Sequence, residues 1–206
     1  MPNLIIFDDK EIQAKGLDKN NRVDKDKLKN YLFDDDLERL ELLNKINKLK
    51  SAKENPLLFY PGCGSDILFP LFYLERLFPE VKEINLVLVD EMDCSGIIKT
   101  ILDDVGISFS EEKEQIRFYY NSVLINLTFI VDDVFKMDLP VFDIYFEKAF
   151  RIIKEGQKGY ERKIFEQLSS GGIIISDSGF QGLKLDYLLV PKNLSSYNKM
   201  CIGIKS

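Results

Sequence analysis

The residues best placed to do chemistry lie in a short glycine-containing segment, Tyr60-Pro61-Gly62-Cys63-Gly64-Ser65-Asp66. It follows the apolar run Leu57–Tyr60 and precedes Ile67–Phe78, which is long enough for a helix. Two glycines let the backbone turn tightly, and the free N–H groups at a helix start attract an anion or a polar group. The next apolar run, Ile84–Val89, ends in Asp90, whose carboxylate can accept hydrogen bonds from both hydroxyls of a ribose. Together these features predict a nucleoside-binding site.

The same residues argue against a cofactor that carries a diphosphate. The dinucleotide-binding fingerprint places a third glycine three residues after the second, and this chain has Ile67 there. Asp90 lies 28 residues after Gly62, whereas the acid of that fingerprint lies roughly 20 residues on. The spacing therefore favours a nucleoside cofactor over a dinucleotide.

Composition excludes several mechanisms and partners. The 206 residues include no histidine, so a His-based triad, a His general base and His-containing zinc sites are excluded. Residues 1–55 hold 12 basic and 12 acidic residues and are neutral overall. Residues 56–206 hold 16 basic and 22 acidic residues, so they carry the whole formal net charge of −6. An acidic domain repels a phosphate backbone, so we expect no DNA partner. For the substrate, a small molecule is favoured over protein or RNA, which both stay open.

The cysteines and the apolar runs indicate a compartment. Cys63, Cys94 and Cys201 are odd in number and far apart, which disfavours a disulfide framework and favours a reducing cytoplasm. The N-terminal stretch 1–11 has acidic residues where a signal peptide would have basic ones. The apolar runs are much shorter than the roughly 20 residues of a membrane span. We therefore expect a cytoplasmic protein with no membrane segment; the oligomeric state cannot be inferred.

Two segments that differ in composition and periodicity must position these residues. Before Asn55-Pro56 the chain is rich in charge, and an apolar residue recurs every three positions from Asp36 to about Lys53, which predicts an amphipathic helix. Its apolar stripe is Leu37, Leu40, Leu43, Ile46 and Leu49. The expected division is an N-terminal helical cap, residues 1–55, and a cofactor-binding domain, residues 56–206.

After Pro56, continuous apolar runs alternate with helical patterns, which predicts an α/β domain with a doubly wound, mostly parallel sheet. The runs Leu185–Val190 and Met200–Ile204 are too close in sequence for a helical crossover, so we expect an antiparallel pair at the end. Two further helices are predicted, Asp93–Val105 and Phe150–Leu168, and Gly171-Gly172 is predicted to stop the second. Two further strands are predicted at Val141–Phe146 and Ile173–Ser176. The strands Gln115–Tyr120 and Val123–Val131 are predicted to form a hairpin that turns at Asn121-Ser122.

From Pro56 to Ser206 the chain resembles the Rossmann-like, class I S-adenosylmethionine-dependent methyltransferases. The resemblance lies in YPGCGSD, LVLVDEM, FIVDDVF, FDIYFEKAF and GGIIISDSG. It implies a seven-stranded sheet and S-adenosylmethionine as cofactor. Two positions depart from the family motif: Tyr60 stands where an acid usually opens it, and Asp66 stands where glycine or another small residue ends it.

The resemblance also implies roles for individual residues. Gly62 and Gly64 would line the methionine part of the cofactor, with Asp90 on the ribose and Met92 covering the adenine. By the same resemblance, Asp132 or Asp133 would lie near the adenine amino group. The other predicted cofactor-binding residues are Tyr60, Cys63 and Asp66 in the loop, and Tyr60 could equally be the last core residue of its strand.

Candidate catalytic groups follow the later strands. Glu147, next to Lys148 after the predicted strand Val141–Phe146, is the predicted general base, although the two could equally form a solvated pair. Asp177, which follows the predicted strand Ile173–Ser176, has the same two interpretations. Cys63 is either a nucleophile or simply a small loop residue, and a redox pair with Cys94 is a further hypothesis.

The predicted function is methyl transfer to a small-molecule acceptor by in-line displacement, which requires alignment and exclusion of water more than acid–base groups. Two alternatives stay open: a catalytically inactive protein of the same fold that serves as a binding or scaffold module, and a nucleotide-dependent oxidoreductase.

Overall fold

A computed structural model describes residues 12–21, 23–180, 182–195 and 198–206. Within that part of the chain, one mixed sheet contains nine strands in the order β3-β4-β5-β2-β1-β6-β7-β9-β8. The strands are β1 (Leu57–Pro61), β2 (Glu83–Asp90), β3 (Phe109–Glu112), β4 (Gln115–Tyr120), β5 (Val123–Val131), β6 (Phe142–Glu147), β7 (Leu168–Ser176), β8 (Leu185–Tyr187) and β9 (Cys201–Lys205).

The centre of the sheet is parallel, and the order of its strands reverses at β1. Strand β1 pairs in parallel with β2 on one side and with β6 on the other, while β2 pairs with β5 and β6 with β7. In such sheets the ligand crevice lies beyond the carboxyl ends of the strands, where the order reverses. The loops after β1 and β6 therefore flank the expected binding position.

The predicted doubly wound arrangement is confirmed by the two cores on opposite faces. The helices are α1 (Lys25–Leu28), α2 (Asp34–Leu42), α3 (Leu68–Leu77), α4 (Ser95–Asp104), α5 (Arg151–Glu155) and α6 (Tyr160–Gln167). Successive side chains of a strand point to opposite faces. Leu58 of β1 joins the core that contains α3 and α4, whereas Phe59 joins the core that contains Ile164 of α6. Both faces of the sheet are therefore covered.

The two predicted antiparallel pairs are confirmed. Strands β8 and β9 pair antiparallel, as do β4 and β5. The β4–β5 hairpin turns at Asn121 and Ser122, with φ of 46° and 69°, which are the positive values that a two-residue type I′ turn requires.

The predictions of seven strands and of a mostly parallel sheet are wrong, because antiparallel pairs extend the sheet at both edges. Four of the eight strand pairs in the described part of the chain are antiparallel. Strand β3 pairs antiparallel with β4, and β4 joins β5. The apolar pattern of the sequence did not predict β3, because only Phe109 of its four residues is buried.

The predicted helix from Asp36 to Lys53 is also wrong in extent. Helix α2 ends at Leu42, a 3-10 turn covers Leu43–Lys45, and the chain is extended at Ile46. The apolar stripe is nevertheless buried from Leu40 to Leu49, and it belongs to the same core as the sheet. The N–H of Leu49 donates to the carbonyl of Leu77 at 2.7 Å, so tertiary packing on α3 replaces the later helical turns. The division at residue 55 stays a prediction.

The predicted helix Phe150–Leu168 is two short helices, α5 and α6. They are separated by a turn that includes Gly156 and Gly159, and Gly159 has a φ of +82° that interrupts a right-handed helix. Gly171 and Gly172 do not stop a helix but lie inside β7. The other predicted helices, now α3 and α4, are confirmed, with Pro70 in the first turn of α3.

None of the helices that the structure describes is long and apolar enough to cross a membrane. Residues 1–11, on which the signal-peptide interpretation rests, lie outside the described part of the chain.

Candidate functional site

The loop after β1 is held in a conformation that requires glycine at Gly62. The φ angle of this residue is +60°, and its N–H donates to the carbonyl of Val89 at 2.8 Å. A Cβ built on Gly62 would lie 2.4 Å from the ring of Phe150, which follows β6. Gly64 also has a positive φ of +52°, but its Cβ position is open. The contact between Gly62 and Phe150 therefore sets the spacing of the loops after β1 and β6.

Asp90 joins the end of β2 to this glycine loop. Its Oδ2 accepts a hydrogen bond from the N–H of Gly64 at 2.8 Å, and its Oδ1 accepts one from the N–H of Met92 at 3.1 Å. Each carboxylate oxygen has a second acceptor position. Asp90 thus fixes the loop and keeps capacity for ligand hydroxyls.

The two departures from the family motif contact each other. The hydroxyl of Tyr60 donates to Asp66 Oδ2 at 2.9 Å, and the N–H of Phe69 donates to Oδ1 at 3.1 Å, which ties Asp66 to the start of α3. Burial raises the pKa of Asp66, and the charge of Lys148 opposes this rise. Burial beside Asp66 also raises the pKa of Tyr60. The pair therefore stabilises the loop where the motif usually has an acid and a small residue.

Two cavities meet at Gly62 and Asp90. The larger, of about 450 Å³, is named the loop cavity. Its lining includes every residue of the glycine loop (residues 60–66) except Pro61. It also includes Tyr31, Leu32, Phe33 and Asp36 from the N-terminal segment, and Lys148 after β6. The smaller, of about 130 Å³, is named the aspartate cavity and is lined by Asp132, Asp133, Phe135, Phe150 and Ile153 among others. Together the two cavities are named the groove, and they lie beside the point where strand order reverses.

The groove collects most of the predicted cofactor-binding residues. Tyr60, Gly62, Cys63, Gly64, Asp66 and Asp90 line the loop cavity, and Asp132 and Asp133 line the aspartate cavity. Met92 is 68% exposed and is not among the residues that line either cavity. Its proposed contact with adenine stays a prediction.

Asp133 lies in a tight turn after β5. Its Oδ1 accepts from the N–H of Phe135 at 2.9 Å, and its Oδ2 pairs with Lys136 at 2.6 Å. The hydrogen bond from Lys136 lowers the pKa of Asp133. The N–H of Asp133 donates to Asp132 Oδ1 at 2.7 Å. Both carboxylates are thus oriented by local contacts beside the aspartate cavity.

Glu147 lies in a buried network. Its Oε1 accepts from Lys154 Nζ at 2.5 Å, Ser176 Oγ at 2.5 Å and Ser178 Oγ at 2.6 Å. Its Oε2 accepts from the hydroxyl of Tyr145 at 2.7 Å. The side chain of Glu147 is 0% exposed. This arrangement joins β6 to β7 and α5; general-base catalysis by Glu147 stays a prediction.

A third cavity, of about 100 Å³, adjoins the loop cavity and is named the aromatic cavity. It is lined by Asp36, Arg39, Leu40, Phe69, Tyr73, Phe146, Glu147, Lys148, Ala149, Ile175, Asp177, Leu194, Ser195 and Met200. Asp177, which the sequence left with two interpretations, therefore lines this cavity. Tyr73 and Asp36 were missed as site residues, because the sequence pattern marks Tyr73 as helix core and Asp36 as a helix-start residue.

The thiols are poor nucleophiles in this fold. Burial raises the pKa of Cys63 far above its ordinary value and the pKa of Cys201 to about 11. Since the thiolate is the reactive form, we expect iodoacetamide at pH 8 to alkylate both residues much more slowly in folded than in urea-unfolded protein. Peptide mass spectrometry after timed quenching measures these rates. Equal rates for Cys63 in the two states would contradict this expectation and revive the nucleophile hypothesis.

Comparison with known proteins gives only distant similarities. No family model and no curated protein matches the chain. Among solved structures it is similar to YjhP from E. coli, with 16% identity and a TM-score of 0.42, covering 77% of this chain and 52% of that one. It is also similar to the S-adenosylmethionine-dependent methyltransferase SibL, with 13% identity and a TM-score of 0.41, covering 68% and 35%.

A further similar structure is PKMT2 from Rickettsia typhi in complex with AdoHcy, with 15% identity and a TM-score of 0.39, covering 71% of this chain and 25% of that one. The chain spans about half or less of the length of these three structures. At these TM-scores the similarities establish neither the family nor the activity of this chain.

Proposed function

We propose that this protein binds S-adenosylmethionine and transfers its methyl group to a small-molecule acceptor. The observation that carries the proposal is the groove formed where the loop cavity and the aspartate cavity meet at Gly62 and Asp90. The groove lies at the carboxyl ends of β1 and β2, beside the reversal of strand order. Two cavities that share Gly62 and Asp90 suit the two ends of an elongated nucleoside with a charged tail.

The residues that line the loop cavity suit the methionine end of this cofactor, and those that line the aspartate cavity suit its adenine. The methionine end carries an ammonium and a carboxylate, and the loop cavity offers carboxylates at Asp36 and Asp66 and an ammonium at Lys148. The ribose hydroxyls require acceptors, which Asp90 provides at the junction. The adenine amino group requires an acceptor, which Asp132 or Asp133 provides in the aspartate cavity.

When bound, this cofactor supplies a methyl group on a positively charged sulfur. The chain's own residues hold and align the two reactants and exclude water, which suits a protein without histidine. The N-terminal segment contributes by closing the loop cavity with Tyr31, Leu32, Phe33 and Asp36.

One observation favours the alternative of a binding module without activity. The ring of Phe150 packs on Gly62, which lines both cavities, and so fills space at their junction. A protein that binds S-adenosylhomocysteine but transfers no methyl group to any acceptor of a broad panel would support this alternative.

Substitution at Asp90 tests the proposed site. We expect Asp90→Ala to weaken S-adenosylhomocysteine binding at least 100-fold, because it removes the ribose acceptors and frees the N–H groups of Gly64 and Met92; hydrogen bonds to a charged group contribute about 1.5–3 kcal/mol each. Isothermal titration calorimetry measures the change. Asp93→Ala is the matched control, because Asp93 accepts from the N–H of Ser95 at the start of α4 and does not line the groove.

Circular dichroism and thermal unfolding establish that both variants remain folded. The proposed site is wrong if folded Asp90→Ala protein binds S-adenosylhomocysteine as tightly as the Asp93→Ala control.

A further inference from the structure

The aromatic cavity adjoins the loop cavity through Phe69, Lys148 and Ala149, which line both. Its walls include the rings of Phe69, Tyr73 and Phe146, and those of Tyr73 and Phe146 meet edge to face with centroids 5.1 Å apart. Aromatic walls favour a flat apolar guest, since ring pairs stabilise beyond the area they bury. A ligand in this cavity would lie next to the tail of the proposed cofactor.

Asp177 lines this cavity and has one unsatisfied acceptor. Its Oδ2 accepts a hydrogen bond from the N–H of Ala149 at 2.8 Å. Its Oδ1 is buried and has no hydrogen-bond partner among the residues that the structure describes. Buried polar atoms are nearly always hydrogen-bonded, and each exception requires an explanation. A ligand that donates a hydrogen bond to Oδ1 would satisfy this atom.

The backbone around Asp177 supports a functional explanation. Ala149, which donates to its Oδ2, has a φ of +58°, a conformation that costs about 1–3 kcal/mol in a residue other than glycine. The strained residue follows β6, where the loop also carries Lys148 into both cavities. The fold thus holds Asp177 and Lys148 together at the expense of local strain.

The charges of the cavity select a neutral ligand. Asp36 and Asp177 carry negative charge, and Arg39 and Lys148 carry positive charge. Arg39 lies 3.8 Å from Asp36, and Lys148 Nζ lies 3.6 Å from the centroid of the Phe69 ring. Glu147 is compensated within its own buried network by Lys154. The balance disfavours both an ammonium and a carboxylate, which leaves a hydroxyl as the matching donor.

We propose that the aromatic cavity binds the methyl acceptor as a small phenol whose hydroxyl donates to Asp177 Oδ1, an inference that rests on the proposed methyl transfer. As the phenol oxygen forms its bond to the methyl carbon, its proton passes to Oδ1. The electron pair of the broken carbon–sulfur bond stays on the sulfur, which becomes neutral. Burial raises the pKa of Asp177, which makes this carboxylate a stronger proton acceptor.

A pair of isosteric probes tests this binding mode without any turnover. Phenol and toluene differ by a hydroxyl in place of a methyl group, so only phenol can donate to Asp177. In nuclear magnetic resonance titrations of the full chain, we expect Asp177→Asn to lower the phenol-to-toluene affinity ratio about tenfold. The asparagine keeps an acceptor for the N–H of Ala149 and turns an N–H₂ group towards the cavity. An unchanged ratio in folded Asp177→Asn protein would overturn the proposal.

A second variant keeps the proposal testable if Asp177→Asn does not fold. Met200 also lines the aromatic cavity, and Met200→Phe reduces its space without touching Asp177. We expect this variant to weaken the binding of phenol and of toluene by the same factor. If phenol binds as tightly as to the unmodified protein, phenol lies outside the cavity and the proposal is overturned.

Calorimetry with S-adenosylhomocysteine on the same samples separates the two proposals. If the cofactor binds and the phenol-to-toluene affinity ratio is the same in Asp177→Asn and unmodified protein, only the phenol site is wrong. An Asp177-dependent ratio without cofactor binding overturns the methyl transfer and the phenol's role as methyl acceptor, and it leaves only the phenol-binding site.

Discussion

Replacing Gly62 by alanine should lower the free energy of unfolding by about 3 kcal/mol or more. Two costs add at this position. The φ of +60° disfavours any residue with a Cβ, and that Cβ would lie 2.4 Å from a ring carbon of Phe150. Phe150 cannot easily move, because it is 2% exposed and stacks on Phe135 with centroids 5.7 Å apart. Urea unfolding followed by circular dichroism measures the loss.

Gly64→Ala is the matched control for Gly62→Ala. Its φ of +52° carries a similar conformational cost, but its Cβ position meets nothing within 4 Å, so we expect a loss of about 1–2 kcal/mol. In the Gly62→Ala background, Phe150→Leu should recover part of the stability by relieving the contact. Equal losses for the two alanine variants would show that Phe150 does not pack on Gly62 as described.

Glu147→Gln should destabilise the protein by about 3 kcal/mol, because it leaves the charge of Lys154 buried beside a neutral partner. The side chains of Glu147 and Lys154 are 0% and 4% exposed. The charge of Lys154 is still partly compensated by Glu161, at 3.2 Å. The expected loss of stability therefore lies at the lower end of the range for a broken buried ion pair. Chemical denaturation at pH 7 measures this loss.

Glu166→Gln is the control for the buried pair. Glu166 pairs with Arg162 at 2.9 Å on α6, where the two side chains are 58% and 81% exposed, so its loss should change stability little. The double variant Glu147→Gln, Lys154→Met should be more stable than Glu147→Gln alone, since it removes the uncompensated charge. If Glu147→Gln costs no more than Glu166→Gln, the network does not fasten β6 to β7 and α5.

The sequence was most informative where burial is continuous. Strands β1 and β2 were predicted from runs of apolar residues, and Asp90 was placed correctly at the end of β2. Strand β3 could not be found, since Phe109 is its only buried residue and pairing with β4 supplies the rest of its stability. Helix α2 was predicted too long because the three-residue apolar spacing continues through an extended segment that packs on α3.

The candidate site was predicted in part for a related reason. Loop and strand-end residues such as Gly62 and Asp90 are fixed by their neighbours in sequence, so a local pattern finds them. The states of Glu147 and Asp177 depend on distant partners, and a sequence does not show which carboxylate is fully hydrogen-bonded and which keeps a free oxygen. Asp36 joins the cavities only because α2 folds over the glycine loop.

The central claim is that the groove at Gly62 and Asp90 binds S-adenosylmethionine, and calorimetric titration of the unmodified protein tests it most directly. The account predicts saturable one-to-one binding of S-adenosylmethionine and of S-adenosylhomocysteine, with no binding of a nicotinamide dinucleotide at the same concentrations. Absence of binding heat from both sulfur compounds across a range of temperatures, on folded protein, would contradict it. Binding of the dinucleotide instead would favour the oxidoreductase alternative.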